Sequence, residues 1–365
     1  MCFPLSLTAF IDFPYGVTFQ TIRTPLLPLD NQHPGEDNFF LRANLQWMNV
    51  WSIQDNQFTI DGEEIQIEPH FRYAVSKTMQ LGFSLPLVSR GGGILDFSIE
   101  KFHNYTGVTN AQRDRYKRNT FNVSYEPLGQ YYLLFDPNLE AYYLRVTQER
   151  IYPRKSYDPP VAVKFLNGQV QRALVELYFP YLYPNDTEEI VISGEQTMGP
   201  SNPRVFVEQD FRLRGFFSRV KLGMQYRLPI PAPTLAANPG FDTSLFVVLQ
   251  RELIPRLLNA RLGIAYNWYQ VKQYRFLRLR GEQSVWRPAL DLHWQHWMFS
   301  AEYVFYSSPI LDFGRLSEPT HQIAFVINYR KEDTQASFAV IENFLTYAAT
   351  PDIGFHFSYE RRFRF

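Results

Sequence analysis

The chain has 365 residues, of which 45% are hydrophobic, 17% aromatic and 20% charged, and it carries no formal net charge at pH 7. Balanced charge offers no basic surface for nucleic acid, and the lone Cys2 supplies neither an intramolecular disulfide nor the paired thiols of a zinc or redox site. Mean hydropathy is slightly negative despite 32 Phe and 23 Tyr, so apolar residues are dispersed among polar ones; no run of about 18 uncharged apolar residues suggests a membrane-crossing helix.

The chain starts MCFPLSLTAFIDFPYGV, an apolar stretch without a basic leader or a clear small-x-small cleavage site. It reads equally as part of a signal peptide or as a mature N-terminus. Ile22 to Asn38 is rich in Pro, Leu and Asp and cannot be a central strand, because each proline removes a ladder donor. Residues 1–38 are therefore an extended lead-in or plug, and residues 39–365 form one body.

Alternation with period two begins at Phe39, where Phe39, Leu41, Ala43, Leu45 and Trp47 oppose Arg42, Asn44 and Gln46. A reversal is expected at Asp61-Gly62, a pair suited to a type I′ turn. A second strand follows over Ile65 to Val75, with Glu68, His70 and Arg72 on its polar face, then a tight turn at Ser76 to Thr78 and a third strand from Met79 to Leu87. Ser89 to Asn119 is a long loop in which Ile94, Leu95, Ile99 and Phe102 have near-helical spacing behind the Gly91-Gly92-Gly93 triplet, which predicts a short helix.

Phe121 to Tyr125 and Tyr131 to Phe135 read as two strands joined across Pro127 to Gln130. Asp136 to Asp210 is the least regular stretch: a strand or two and a large loop excursion, with a turn at Asn167-Gly168 and an apolar run from Ala173 to Tyr181. Regularity returns at Val220 to Leu228, set against Arg219, Lys221, Gln225 and Arg227. Further strands carry Leu245 to Leu249, Leu262 to Trp268 opposite Arg261, Leu290 to Trp294 opposite Asp291 and His293, and Phe299 to Phe305 opposite Glu302. Ile323 to Tyr329 and Ala336 to Val340 follow, with tight turns at Gln295-His296 and Lys331 to Asp333.

The last strand, IGFHFSYERRFRF, sets Phe355, Phe357, Tyr359, Phe363 and Phe365 against His356, Ser358, Glu360, Arg362 and Arg364. It resembles the C-terminal strand signal of bacterial outer-membrane barrels, with Glu360 where that signal commonly has glycine. Short turns alternating with long loops, and segments approaching the roughly 9 to 11 residues of a tilted spanning strand, fit the same architecture. The expected fold is all-β: an antiparallel transmembrane β-barrel of about 12 to 14 strands with a short helix in an outer loop. A soluble periplasmic β-sandwich is the other fold that such alternation allows.

Leu85 to Gly107, with Asn31-Gln32-His33-Pro34 before it and Arg113 to Phe121 after it, resembles an uncharacterised proteobacterial family known only as a domain of unknown function. The resemblance covers most of the chain and leaves out Asp136 to Asp210. It implies an outer-membrane barrel and brings no activity and no functional residue.

On the polar faces, Arg42, Glu68, Arg72, Arg219, Lys221, Arg227, Arg261, Asp291, Glu302, Glu360 and Arg362 are candidate lumen-lining residues. They would line a selective channel, or pair with one another and plug a narrow barrel, as mixed signs allow. His293 and His296 invite a metal reading, but three residues apart in a strand they face opposite ways and here a turn intervenes. The glycine triplet lacks the Lys and Ser or Thr of a P-loop. Ser84, His70 and His356 share the inward parity without a G-x-S-x-G motif, so a lipid hydrolase is the enzyme alternative to a non-enzymatic barrel. The Asn-x-Ser/Thr sites at Asn104 and Asn122 match a glycosylation pattern without meaning in this setting.

The expected function is an outer-membrane channel or transporter for small molecules, hydrophobic ones included; the alternative is a structural or partner-binding barrel with a plugged lumen. No cofactor and no metal are expected. Partners are outer-membrane lipid, the barrel-assembly machinery through the C-terminal strand, and an unknown small-molecule substrate, with no nucleic acid.

Overall fold

The computed structural model describes residues 26–29, 38–54, 58–106, 121–125, 131–136, 141–146, 161–164, 190–193, 197–229, 240–274, 277–311, 314–343 and 353–364. Twelve antiparallel strands form the barrel. They are β1 (Asn38–Gln54), β2 (Phe58–Ala74), β3 (Met79–Ser84), β4 (Arg204–Arg212), β5 (Arg219–Arg227) and β6 (Asp242–Ile254). The second half comprises β7 (Leu258–Tyr269), β8 (Glu282–Trp294), β9 (Trp297–Tyr306), β10 (Thr320–Lys331), β11 (Thr334–Asn343) and β12 (Ile353–Arg364). Each strand pairs with the next, and β12 closes the ring by pairing with β1 from Asn38↔Arg364 to Asn49↔Ile353. Closure leaves no open edge along the barrel, which excludes the β-sandwich alternative.

The alternation dictates which way each strand faces. On β12 Phe357, Tyr359 and Phe363 are exposed while His356 and Glu360 are buried, and on β8 Trp286, Leu290 and Leu292 are exposed against buried Arg287 and Asp291. Charged side chains point in and large apolar ones point out, the reverse of a soluble protein. Cross-strand contacts knit the outer face, such as Phe39 with Phe71 (ring centroids 6.2 Å apart) and Trp297 with Tyr329 (4.7 Å).

Tight turns gather at one end, here called the bottom, where both ends of the ring also lie. Ser76 Oγ accepts from the amides of Thr78 (3.3 Å) and Met79 (3.1 Å) at the β2–β3 turn. Arg256, Gln295 and Glu332 take the left-handed backbone, with φ of 62°, 54° and 50°, in the turns after β6, β8 and β10.

Several expectations are corrected. Asp61 and Gly62 do not reverse the chain: they lie inside β2, opposite Trp51 and Val50, and the pairing of β1 with β2 continues to Gln54 and Phe58. The glycine serves packing rather than turning: a Cβ on Gly62 would stand 2.6 Å from the Phe121 ring. β2 reaches this far because further strands cover its other edge, Leu87–Gly91 against Glu63 to Ile67 and Asn122–Tyr125 against Phe58 to Asp61. The strand expected from Met79 to Leu87 breaks at Leu85-Pro86, and the loop expected from Ser89 opens as strand.

Tyr131–Asp136 is a strand, but it pairs with Ala141–Val146 and Val161–Lys164 in a separate sheet, not with Asn122–Tyr125. The irregular middle contains a full barrel strand, β4, and Thr197–Pro200 beside Leu87–Gly91. Asn167-Gly168 and Ala173 to Tyr181 lie outside the described residues. The strand expected from Leu290 begins at Glu282, because Pro288 sits within β8 without ending it. The helix is α1 (Asp96–Thr106).

Candidate functional site: the barrel lumen

The inward charged side chains meet partners across the strands and form clusters. Glu360 on β12 accepts from Arg42 Nε at 2.6 Å and from Arg72, whose guanidinium also lies 4.6 Å from the Phe40 ring centroid. Glu68 takes Arg204 Nη2 at 2.5 Å and stands 3.3 Å from His70 Nε2. Lys221 reaches Glu208 at 3.0 Å, and Arg219 grips Asp210 at 2.6 and 2.9 Å. Arg227 pairs with Asp242 at 2.8 Å.

Farther round the ring, Arg261 holds both oxygens of Asp291 at 2.5 and 2.6 Å and approaches Glu302 at 3.4 Å. Arg287 closes that cluster on Glu302 at 2.5 Å, and all four of these side chains have 0% exposure. Arg362 differs: it pairs with Asp333 at the bottom rim, where the two side chains are 22% and 37% exposed. The side chain of Arg364 lies outside the described ones.

Sequence reading missed the partners Arg204, Glu208, Asp210, Asp242, Arg287 and Asp333. Arg287 has the parity of Asp291 and was legible once β8 was extended past Pro288. Arg204, Glu208 and Asp210 also alternate, but Gln209 between them breaks the apolar outer face.

Apolar side chains also line the wall among these charges. Phe206 pairs with Gly82 and Phe246 with Gly223, and a Cβ on those glycines would stand 2.0 and 2.1 Å from the ring atoms. The rings thus lie along the wall over neighbours without side chains instead of projecting across the lumen. Val248, Val285, Val304, Val326 and Ile341 extend this surface, and Leu27 and Leu29 belong to the same buried cluster. The N-terminal Leu26–Leu29 stretch is therefore packed inside the barrel, and Gln225 Nε2 donates to the Leu27 carbonyl at 2.5 Å.

Other motifs take structural places. Glu63 Oε1 accepts from the amides of Ile94 (2.8 Å) and Leu95, while Trp47 Nε1 donates to its Oε2 at 2.8 Å. A Cβ on Gly93 would sit 1.8 Å from Glu63 Cδ, so the triplet wraps this chain's own carboxylate. Ser84 faces His70 across β2 and β3, and its hydroxyl accepts from Arg204 Nε at 3.2 Å. His356 stands in a different row, between Gln46 and Ala339. His293 contacts Asn259 at 2.9 Å, and His296 packs near the Tyr329 ring; among the described residues no metal-ligating group of three or more forms.

The family described as protein of unknown function (DUF3187) matches residues 19–138 and 174–363, and the chain belongs to it. Residues 174–210, which the sequence resemblance left out, are thus part of the family match. No curated protein matches. Among solved structures, the chain is similar to an outer membrane channel from Pseudomonas putida F1, with 8% identity, a TM-score of 0.48, and 92% of this chain and 99% of that one covered. It is also similar to the CymD monoaromatic hydrocarbon channel, with 11% identity, a TM-score of 0.43, and 98% and 100% covered. The Ralstonia pickettii toluene transporter TbuX gives 9% identity, a TM-score of 0.39, and 90% of each chain covered.

Proposed function

We propose that this chain is a bacterial outer-membrane channel for small molecules, closed in the described state by its own Leu26–Leu29 segment. The membrane part of this reading is supported by the outer face, where Leu45, Phe71, Leu222, Leu290, Phe325 and Tyr359 stand exposed on a closed ring whose interior is polar and charged. Outer-membrane lipid is then the partner of that face. The tight-turn end is the periplasmic side, and β12, with its alternate aromatics, is the expected contact for assembly machinery.

The observation that carries the channel reading is the apolar stretch of inner wall. A barrel needed only as a rigid post can fill its lumen with paired charges from end to end. This one instead keeps Phe206 and Phe246 flat against glycines and covers them with a segment from outside the wall. A segment that fills an apolar seat through a few leucines and one amide hydrogen bond can leave it when a competing molecule arrives.

The buried Arg261, Asp291, Glu302 and Arg287 cluster favours the second reading, a plugged barrel serving as structure or as a platform for partners. Conductance in planar bilayers and solute uptake into vesicles separate the two. The channel reading expects low conductance for the unaltered chain and a clear rise for Leu27→Asp. If a Leu27→Asp barrel that migrates as folded, with heat-modifiable mobility, neither conducts nor admits any solute, the plugged reading stands instead.

A further inference from the structure

We propose that the upper lumen binds a small neutral molecule with an apolar body and one hydroxyl, an alcohol or a phenol, in the place where Leu26–Leu29 now lies. The proposal rests on the channel reading for its purpose, since it names the class of permeant. It can be tested without transport.

The strand registers place Gln225, Ser244, Asn267 and Gln283 opposite one another in a single row across β5 to β8. The first three have 0% exposure. No member of the row is charged. One row nearer the bottom, Gly223, Phe246, Ala265 and Val285 stand opposite one another in the same way. A neutral polar strip therefore borders an apolar strip on the same four strands.

The polar strip is only partly satisfied. Gln225 Nε2 donates to the Leu27 carbonyl, and Asn267 Nδ2 donates to the Tyr269 hydroxyl at 3.3 Å, which itself donates to Gln283. Gln225 Oε1, Ser244 Oγ and Asn267 Oδ1 have no hydrogen-bond partner among the described residues. Buried polar atoms are normally bonded, and a side-by-side group of two amide oxygens and one hydroxyl is an arrangement that asks for a donor.

Charge narrows the class. The neighbouring cations are already committed, Arg227 to Asp242 at 2.8 Å and Lys221 to Glu208 at 3.0 Å, so a carboxylate would face amide oxygens with no free counter-charge. A pure hydrocarbon would fill the apolar strip and leave the oxygens unbonded. A sugar would carry more hydroxyls than one strip can bond and little apolar surface. Leu27 itself shows the two features required, an aliphatic side chain in the apolar cluster and a neutral acceptor on Gln225. A ligand hydroxyl improves on that carbonyl because it can accept from Gln225 and also donate to Ser244 or Asn267.

The test compares cyclohexanol with methylcyclohexane, of similar size and differing in the hydroxyl, by calorimetric titration of the full chain folded in detergent. Each affinity is read against the same micelles without protein. Leu27→Asp is expected to bind cyclohexanol about tenfold more tightly than the unaltered chain, and both to prefer it over methylcyclohexane by roughly tenfold, as one or two buried hydrogen bonds allow. The double variant Ser244→Ala/Asn267→Leu is expected to lose the preference and still bind methylcyclohexane. Should the double variant not fold, Ser244→Ala alone removes a single oxygen and is expected to cut the preference about threefold.

Equal affinities for the two compounds in the unaltered chain and in Leu27→Asp would overturn the proposal, and so would a preference untouched by Ser244→Ala. Alcohol binding that depends on Ser244, in a barrel that neither conducts nor takes up solute, would reject the channel reading and leave the binding site standing.

Discussion

Two parts of the inner wall share the same parity and the same burial and are held in opposite ways. The charged side chains of Arg42, Arg72 and Glu360, and of Arg261, Asp291 and Glu302, pair with other residues of the wall itself. The apolar side chains of Phe206, Phe246 and Val248, which stand among those charges, share a buried cluster with Leu27 and Leu29 from outside the wall. A charged lining that neutralises itself is permanent, because opening any one pair strands an ion in a medium that cannot solvate it. An apolar lining covered by a short segment is exchangeable, because another apolar surface of similar shape serves as well. On the channel reading proposed above, the first region serves stability and the second serves passage.

The sharpest way to break that contrast is Asp291→Ala. It leaves Arg261 buried with Glu302 as its remaining carboxylate, and a loss of about 3–5 kcal/mol is expected in urea unfolding of the lipid- or detergent-folded barrel. A loss below about 1 kcal/mol would show that the buried cluster is hydrated in the working barrel and not fixed. Gly82→Val comes next. The added methyls meet the Phe206 ring and push it into the lumen, so the expected cost is about 1–3 kcal/mol, accompanied by slower uptake through a Leu27→Asp background.

A smaller effect is expected at the rim. Asp333→Asn releases Arg362 where both side chains reach solvent, and the change should stay within about 1 kcal/mol and shrink further in high salt. Comparing it with Asp291→Ala measures how much of an ion pair's weight comes from burial alone. The least effect, and of opposite sign, is that of Gln295→Gly. Relief of the left-handed backbone at φ 54° should raise the unfolding midpoint by an amount equivalent to no more than about 1 kcal/mol, without altering uptake.

Much of the barrel is legible in the sequence because its two faces carry side chains of opposite polarity. From Val220 onward nearly every strand keeps its outward apolar parity, and the tight turns at Gln295-His296 and after Lys331 lie where the alternation stops. Around β2 packing decides over local turn chemistry: Asp61-Gly62 has the residues of a hairpin turn, but Phe121 rests on that glycine. β4 is hidden because Gln209 interrupts the apolar outer face between Val207 and Phe211. Parity alone orients the side chains of the regular strands, whereas their pairing is not local, because each partner comes from another strand.

By itself, then, the sequence determined an alternating all-β chain, the inward set of charges and the Pro-rich lead-in, since residue type and spacing are enough to orient a side chain on a pleated strand. Tertiary structure alone decided that the ring closes with twelve strands, which cation meets which carboxylate, and that Leu26–Leu29 lies inside the wall. Those outcomes depend on strand register and on contacts between residues hundreds of positions apart, as Arg42 and Glu360 are, and no local pattern encodes them.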